Sequence, residues 1–120
     1  MAKGVPDSVA AKQAGGERLS PGNCAVLLVD HQTGLVQLVR DYDEHTFRNN
    51  VCALADLAKA YKLPTVLTTS IEEGPNGPLV PEIAGKFPEA PYIARPGQIN
   101  AWDNDDFVAA VEVRKHIPCA

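Results

Sequence analysis

The chain has 120 residues, 45% of them hydrophobic and 22% charged, with a formal charge of −4, a composition ordinary for one globular domain. This balance excludes a chain disordered as a whole and argues against a nucleic-acid partner, for which a basic face is needed. The longest apolar run, Cys24–Val29, is far too short to span a membrane.

Residues 1–22 mix Lys3, Asp7, Lys12, Glu17 and Arg18 with Ala and Gly and contain no apolar stretch, so a flexible tail is expected there rather than a secretory signal. The domain is expected over residues 23–120. Its share of the charge is −5, with acidic clusters at Asp41, Asp43 and Glu44 and at Asp103, Asp105 and Asp106. Three cysteines without a Cys-x-x-Cys pair, and no Asn-x-Ser/Thr acceptor, point to a reducing cytoplasm.

The run Cys24–Val29 is continuously apolar, which predicts a strand covered on both faces as in a parallel sheet. Asp30 ends it. From Glu44 to Tyr61 the residues Phe47, Val51, Leu54, Ala55, Ala58 and Tyr61 recur at steps of three and four, predicting an amphipathic helix capped by Asp43 or Thr46. Leu63-Pro64 stops that helix, and the β-branched run Thr65–Ser70 predicts a second strand. A strand, helix and strand in this order make a right-handed parallel crossover, whose ligand crevice lies at the carboxyl ends of the strands. Asp30 and Ser70 both fall there.

Between Glu73 and Gly97 six prolines and four glycines predict a long stiff loop, with a helical turn near Glu82–Gly85 and an extended piece at Tyr92–Ala94. Asn104 is placed to cap a last helix, with Asp105 and Asp106 in its first turn, Phe107, Val108 and Val111 on its buried stripe, and its end near Arg114-Lys115.

Asp30, directly after a buried strand, is a candidate general base, because partial desolvation raises a carboxylate's proton affinity. The bland alternative is a turn aspartate. In Asp30-His31-Gln32-Thr33 a glutamine stands where an aspartyl phosphotransferase needs its second aspartate, which leaves a Mg²⁺ ligand set incomplete. Arg95, between an extended segment and Pro96, is a fixed cation suited to a carboxylate or a developing oxyanion, or else a surface arginine. Gln32, Ser70, Asn100 and Trp102 complete the candidate set as substrate contacts. For Trp102 a core or subunit-interface role competes with that of a pocket wall.

No cofactor is implied. His31, His45 and His116 lack metal-ligand spacing, and Gly74–Pro78 reads as a rigid turn, since its prolines remove the donors a phosphate loop requires. Cys24 begins the first strand, on the order of 20 Å from Asp30. Cys52 reads as a small buried helix residue, and Cys119 is penultimate. A flavodoxin-like cofactor binder rests on the β-α-β order alone, which does not license it.

Four ordered blocks, Ala25–Leu35, Leu63–Ser70, Gly74–Leu79 and Ile93–Asn104, resemble the isochorismatase-like cysteine hydrolases, and within them the YcaC-like branch. The resemblance covers about residues 23–111. It implies a doubly wound α/β fold with a parallel sheet, incomplete at its C-terminus, and homo-oligomers. It further implies hydrolysis of a small-molecule amide, ester or enol ether by an Asp-Lys-Cys triad. The family's aspartate, which takes the thiol proton, falls on Asp30. The basic position falls on or near Arg95, where arginine keeps the electrostatic support but is a poor proton shuttle. The family's nucleophilic cysteine stands beyond the strand that follows the last helix here. Cys119 comes too early for that position, and Pro118 would interrupt the strand. The resemblance therefore leaves two classes of function: a hydrolase of this family, or a truncated, catalytically inactive member that binds a ligand or a full-length partner.

Overall fold

A computed structural model describes residues 18–114. Cys119, His116 and most of the expected tail lie outside the described residues. The elements run β1 (Val26–Val29), α1 (Thr33–Val36), α2 (Glu44–Ala60), β2 (Thr65–Ser70), α3 (Pro81–Lys86), β3 (Tyr92–Arg95), a 3₁₀ turn (Ala101–Asp103) and α4 (Asp105–Arg114). The three strands form a parallel sheet in the order β1-β2-β3, with Val26 opposite Thr65 and Leu67 opposite Tyr92.

Period-two side-chain alternation sends neighbouring residues of a strand to opposite faces. Leu28 and Leu67 accordingly join Val36, Leu79, Val80 and Ile83, with Phe47 and Val51 of α2 packed beside them. Leu27 and Val66 turn the other way, to Ala101, Phe107 and Val111 beside α4. Helices thus cover both faces, the doubly wound arrangement the sequence implied. All six residues of β2 are buried, whereas Val29 of β1 is 37% exposed. The strand expected to be covered on both faces is therefore an edge strand among the described residues, and β2 is the covered one. β1 also begins at Val26 rather than Cys24.

Asp43, not Thr46, caps α2, accepting from the Thr46 backbone N–H at 2.9 Å and its hydroxyl at 2.6 Å. These bonds favour the ionised carboxylate and hold the Asp43 pKa below its ordinary value. The helix ends in a Schellman turn: Leu63 N–H reaches Ala58 O, Lys62 N–H reaches Lys59 O, and Lys62 takes φ 53°. Of the expected stripe, Leu54 and Tyr61 are instead 46% and 54% exposed. Ala55 and Ala58 lie at the centre of the buried arc, and those two bulky residues flank it on the solvent side. The caps at α4 follow expectation, with Asn104 Oδ1 accepting from Phe107 N–H at 2.9 Å. Helix α1 and the 3₁₀ turn were not foreseen, both being too short to show periodicity.

Gly34 has a steric reason. Its N–H donates to Asn76 O at 2.8 Å, and a Cβ there would lie 1.9 Å from Pro75 O. The Gly74–Pro78 turn is thereby pressed against the start of α1. No helix among the described residues is long and apolar enough to cross a membrane.

Candidate active site

The carboxyl ends of the three strands bring together residues that are far apart in sequence. Asp30 is the first residue after β1 and takes a left-handed backbone conformation, φ 60°. Arg95 is the last residue of β3 and its side chain is fully excluded from solvent, whereas that of Asp30 keeps 27% of its exposure. Arg95 Nη2 donates to Asp30 Oδ1. The aspartate thus stands beside a buried cation and is not an isolated desolvated carboxyl.

The other Arg95 donors are directed into the protein. Nε donates to Thr68 Oγ1 and Thr69 O, both at 3.1 Å, and Nη1 to the carbonyls of Gln98 at 2.5 Å and Ile99 at 3.3 Å. The Thr68 hydroxyl in turn donates a hydrogen bond to Ile93 O at 2.8 Å. A buried charge is tolerable only with its donors satisfied in this way. The sequence did not single out Thr68, Thr69, Gln98 or Ile99; hydroxyls within a fully buried strand were the available signal.

Gln32 and Ser70 are joined to each other. The Gln32 side chain accepts from Ser70 N–H at 2.8 Å and donates to Ser70 O at 2.9 Å and Gly77 O at 2.7 Å. Gln32 is wholly buried. Its amide acts as a short stretch of strand backbone, tying the ends of β1 and β2 to the Gly74–Pro78 turn, with Asn76 Nδ2 adding a 2.9 Å bond to Ser70 O. Asn100 caps the 3₁₀ turn, accepting from Trp102 N–H at 3.1 Å. Trp102 meets Phe107 edge to face, centroids 5.3 Å apart, and packs against the α4-side core.

Ile71, the first residue after β2, also has positive φ, 46°. For a β-branched residue this region costs on the order of 1–3 kcal/mol. Its N–H donates to Arg95 O at 3.1 Å, and the residue remains 46% exposed. Strand-forming residue type concealed this turn in the sequence. Beyond it, Thr69 Oγ1 donates to Glu72 at 2.7 Å and the Tyr92 hydroxyl donates to the same carboxylate.

A separate cavity of about 210 Å³ lies between α2 and α3, lined by His31, Val36, Phe47, Val51, Cys52 and Ile83. Burial of His31 lowers its pKa, partly offset by the charge of Asp30, and its Nδ1 is buried without a partner among the described residues. Cys24 and Cys52 are free thiols, both half-buried. Cys24 precedes β1 at the end of the sheet opposite Asp30, and Cys52 lies within α2.

No family model matches the sequence. The chain is 66% identical over 95 residues to the probable hydrolase YcaC of Escherichia coli, an alignment covering 79% of this chain and 46% of that protein. The crystal structure of the E. coli YcaC gene product, an octameric hydrolase of unknown specificity, superposes with a TM-score of 0.80 at 66% identity, over 81% of this chain and 48% of that one. YcaC from Pseudomonas aeruginosa, solved with hexane-2,5-diol and covalent acrylamide, gives a TM-score of 0.80 at 63% identity, over 82% and 48%. The chain spans about half the length of these relatives. Over the half of their length that it spans, the chain is thus similar in sequence and in fold to these YcaC proteins, the branch that its sequence resembles.

Proposed function

We propose that the strand-end site serves hydrolysis of a small amide, ester or enol ether, with Asp30 as the base that takes a thiol proton and Arg95 as fixed positive charge. The Asp30–Arg95 pair carries this reading: a part-exposed carboxylate is locked by a buried guanidinium at the crevice of a parallel sheet. On an amide or ester the thiolate would add to the carbonyl carbon, the leaving group would depart with the proton held by Asp30, and water would release the acid. The covalent acrylamide on the P. aeruginosa relative is consistent with a nucleophile in this family. The octameric E. coli relative supports a homo-oligomer, and free thiols suit a cytoplasmic setting.

A second reading is a non-catalytic member that binds a ligand or a full-length partner. One observation favours it: neither described cysteine lies at the Asp30 end of the sheet. Two measurements on the purified chain separate the readings. Hydrolysis of a panel of small amides and esters should fall about 10²-fold or more in Asp30→Asn. If Cys119 supplied the thiol despite its early position, iodoacetamide would label it far faster than Cys52, and Asp30→Asn would abolish the difference. Equal, slow labelling with hydrolysis indifferent to Asp30 would sink the catalytic reading and leave the binding one.

A further inference from the structure

The polarity of the strand-end rim is set by which groups still have bonding capacity. Arg95 presents no donor at the surface: its side chain is fully excluded from solvent, and its Nε, Nη1 and Nη2 each already bond within the protein, to Thr68, Thr69, Gln98, Ile99 and Asp30. Asp30 keeps 27% of its side-chain exposure, and an ionised carboxylate has acceptor sites beyond the one that Arg95 occupies. An approaching molecule therefore meets an acceptor, with the Glu72 carboxylate farther along the same loop. A carboxylate ligand would face like charge, with the Arg95 guanidinium out of its reach.

The apolar component is Ile71. It is held left-handed at φ 46°, yet it is 46% exposed, so burial does not account for the conformation. Glycines flank it: a Cβ at Gly74 would lie 3.3 Å from its Cγ2, and one at Gly97 3.7 Å from its Cδ1. Strained backbone that packing does not demand clusters at ligand-binding positions.

We infer that this rim selects a small neutral molecule that donates an N–H or O–H to Asp30 and lays a short alkyl group on Ile71, and that it discriminates against carboxylates. The inference rests on the proposed reaction for its biological meaning but concerns binding alone, so turnover is not needed to test it.

The test is a titration of the full chain with butyramide, butyrate and acetamide, followed through the Ile71 methyl and Asp30 carboxyl ¹³C resonances. Butyramide should move both signals saturably and bind about tenfold more tightly than acetamide, which lacks two methylenes; butyrate should bind more weakly than butyramide. Ile71→Gly should bring butyramide down to the affinity of acetamide while Tm stays level or rises, because glycine removes the strain. Butyrate binding as well as butyramide, or no saturable shift with butyramide, would overturn the inference. So would an Ile71→Gly variant that melts several degrees lower with butyramide affinity intact, since Ile71 would then be a packing residue. Binding without any hydrolysis would leave the inference standing and count against the catalytic reading instead.

Discussion

Two ion pairs in this molecule have similar chemistry and opposite surroundings. Lys86 meets Asp56 at 2.5 Å between α3 and α2 with side-chain exposures of 26% and 62%, while Arg95 meets Asp30 with exposures of 0% and 27%. The first is screened by water, and its loss frees two side chains that solvent can accommodate. The second is one bond in a network that includes Thr68 Oγ1 and three carbonyls, so removing the cation strands every acceptor together. Proximity of charges is common to both; what differs is whether water can replace the partner.

The largest expected effect comes from emptying the buried member. Arg95→Met should destabilise the chain by about 2–4 kcal/mol in urea denaturation, because a part-buried carboxylate and the carbonyls around the guanidinium lose their donor. Arg95→Lys should lose less, since it keeps the charge but not the planar fork. A loss under about 1 kcal/mol for Arg95→Met would place the pair with the exposed class. Gln32→Leu comes next, at about 1–3 kcal/mol, because Ser70 N–H and Gly77 O are left without a partner in a dry junction; thermal melts of the two variants side by side give the ranking.

The third prediction uses His31, whose burial lowers its pKa beside Asp30. The folded state then binds fewer protons than the unfolded one just below the unfolded value of 6.5. Stability should be fully present above that pH and decline as pH falls from it toward the lowered folded value. His31→Phe should flatten that limb in a series of melts from pH 7.5 to 5, and an unchanged slope would assign the decline to other groups. The smallest effect belongs to the exposed pair: Lys86→Ala should move Tm by no more than about 2 °C. The Lys86 pKa, raised chiefly by its hydrogen bond to Asp56, should return toward its ordinary value in Asp56→Ala when followed by NMR.

Much of this arrangement could be read in the sequence, and what could not has physical reasons. The parallel crossover and the placement of Asp30 follow from local patterns, because an apolar run, a helix period and a β-branched run each act over a few residues. Arg95 came from its position between an extended segment and a proline. The junction around Gln32 depends on contacts 38 and 45 residues away, which no window along the chain contains. Ile71 escaped because its side chain favours continuing a strand, whereas its backbone turns left-handed. Leu54 and Tyr61 show the limit of periodicity: the pattern finds the apolar side of α2 but not how wide an arc its neighbours cover.

The parallel register carries a consequence for how the chain folds. Val26 pairs with a residue about 40 positions on, and Leu67 with one about 25 on, so every ladder in the sheet closes a long loop before it gains a contact. β2 is the only strand of the three that belongs to both ladders. Its pairing with either neighbour is therefore the step at which loop-closure entropy must be met, while α2, stabilised by local bonds and its Asp43 cap, can form early. Substitutions at Val66 or Leu67 should consequently slow refolding as well as lower stability, whereas those at the exposed end of β1 should act mainly on the unfolding rate.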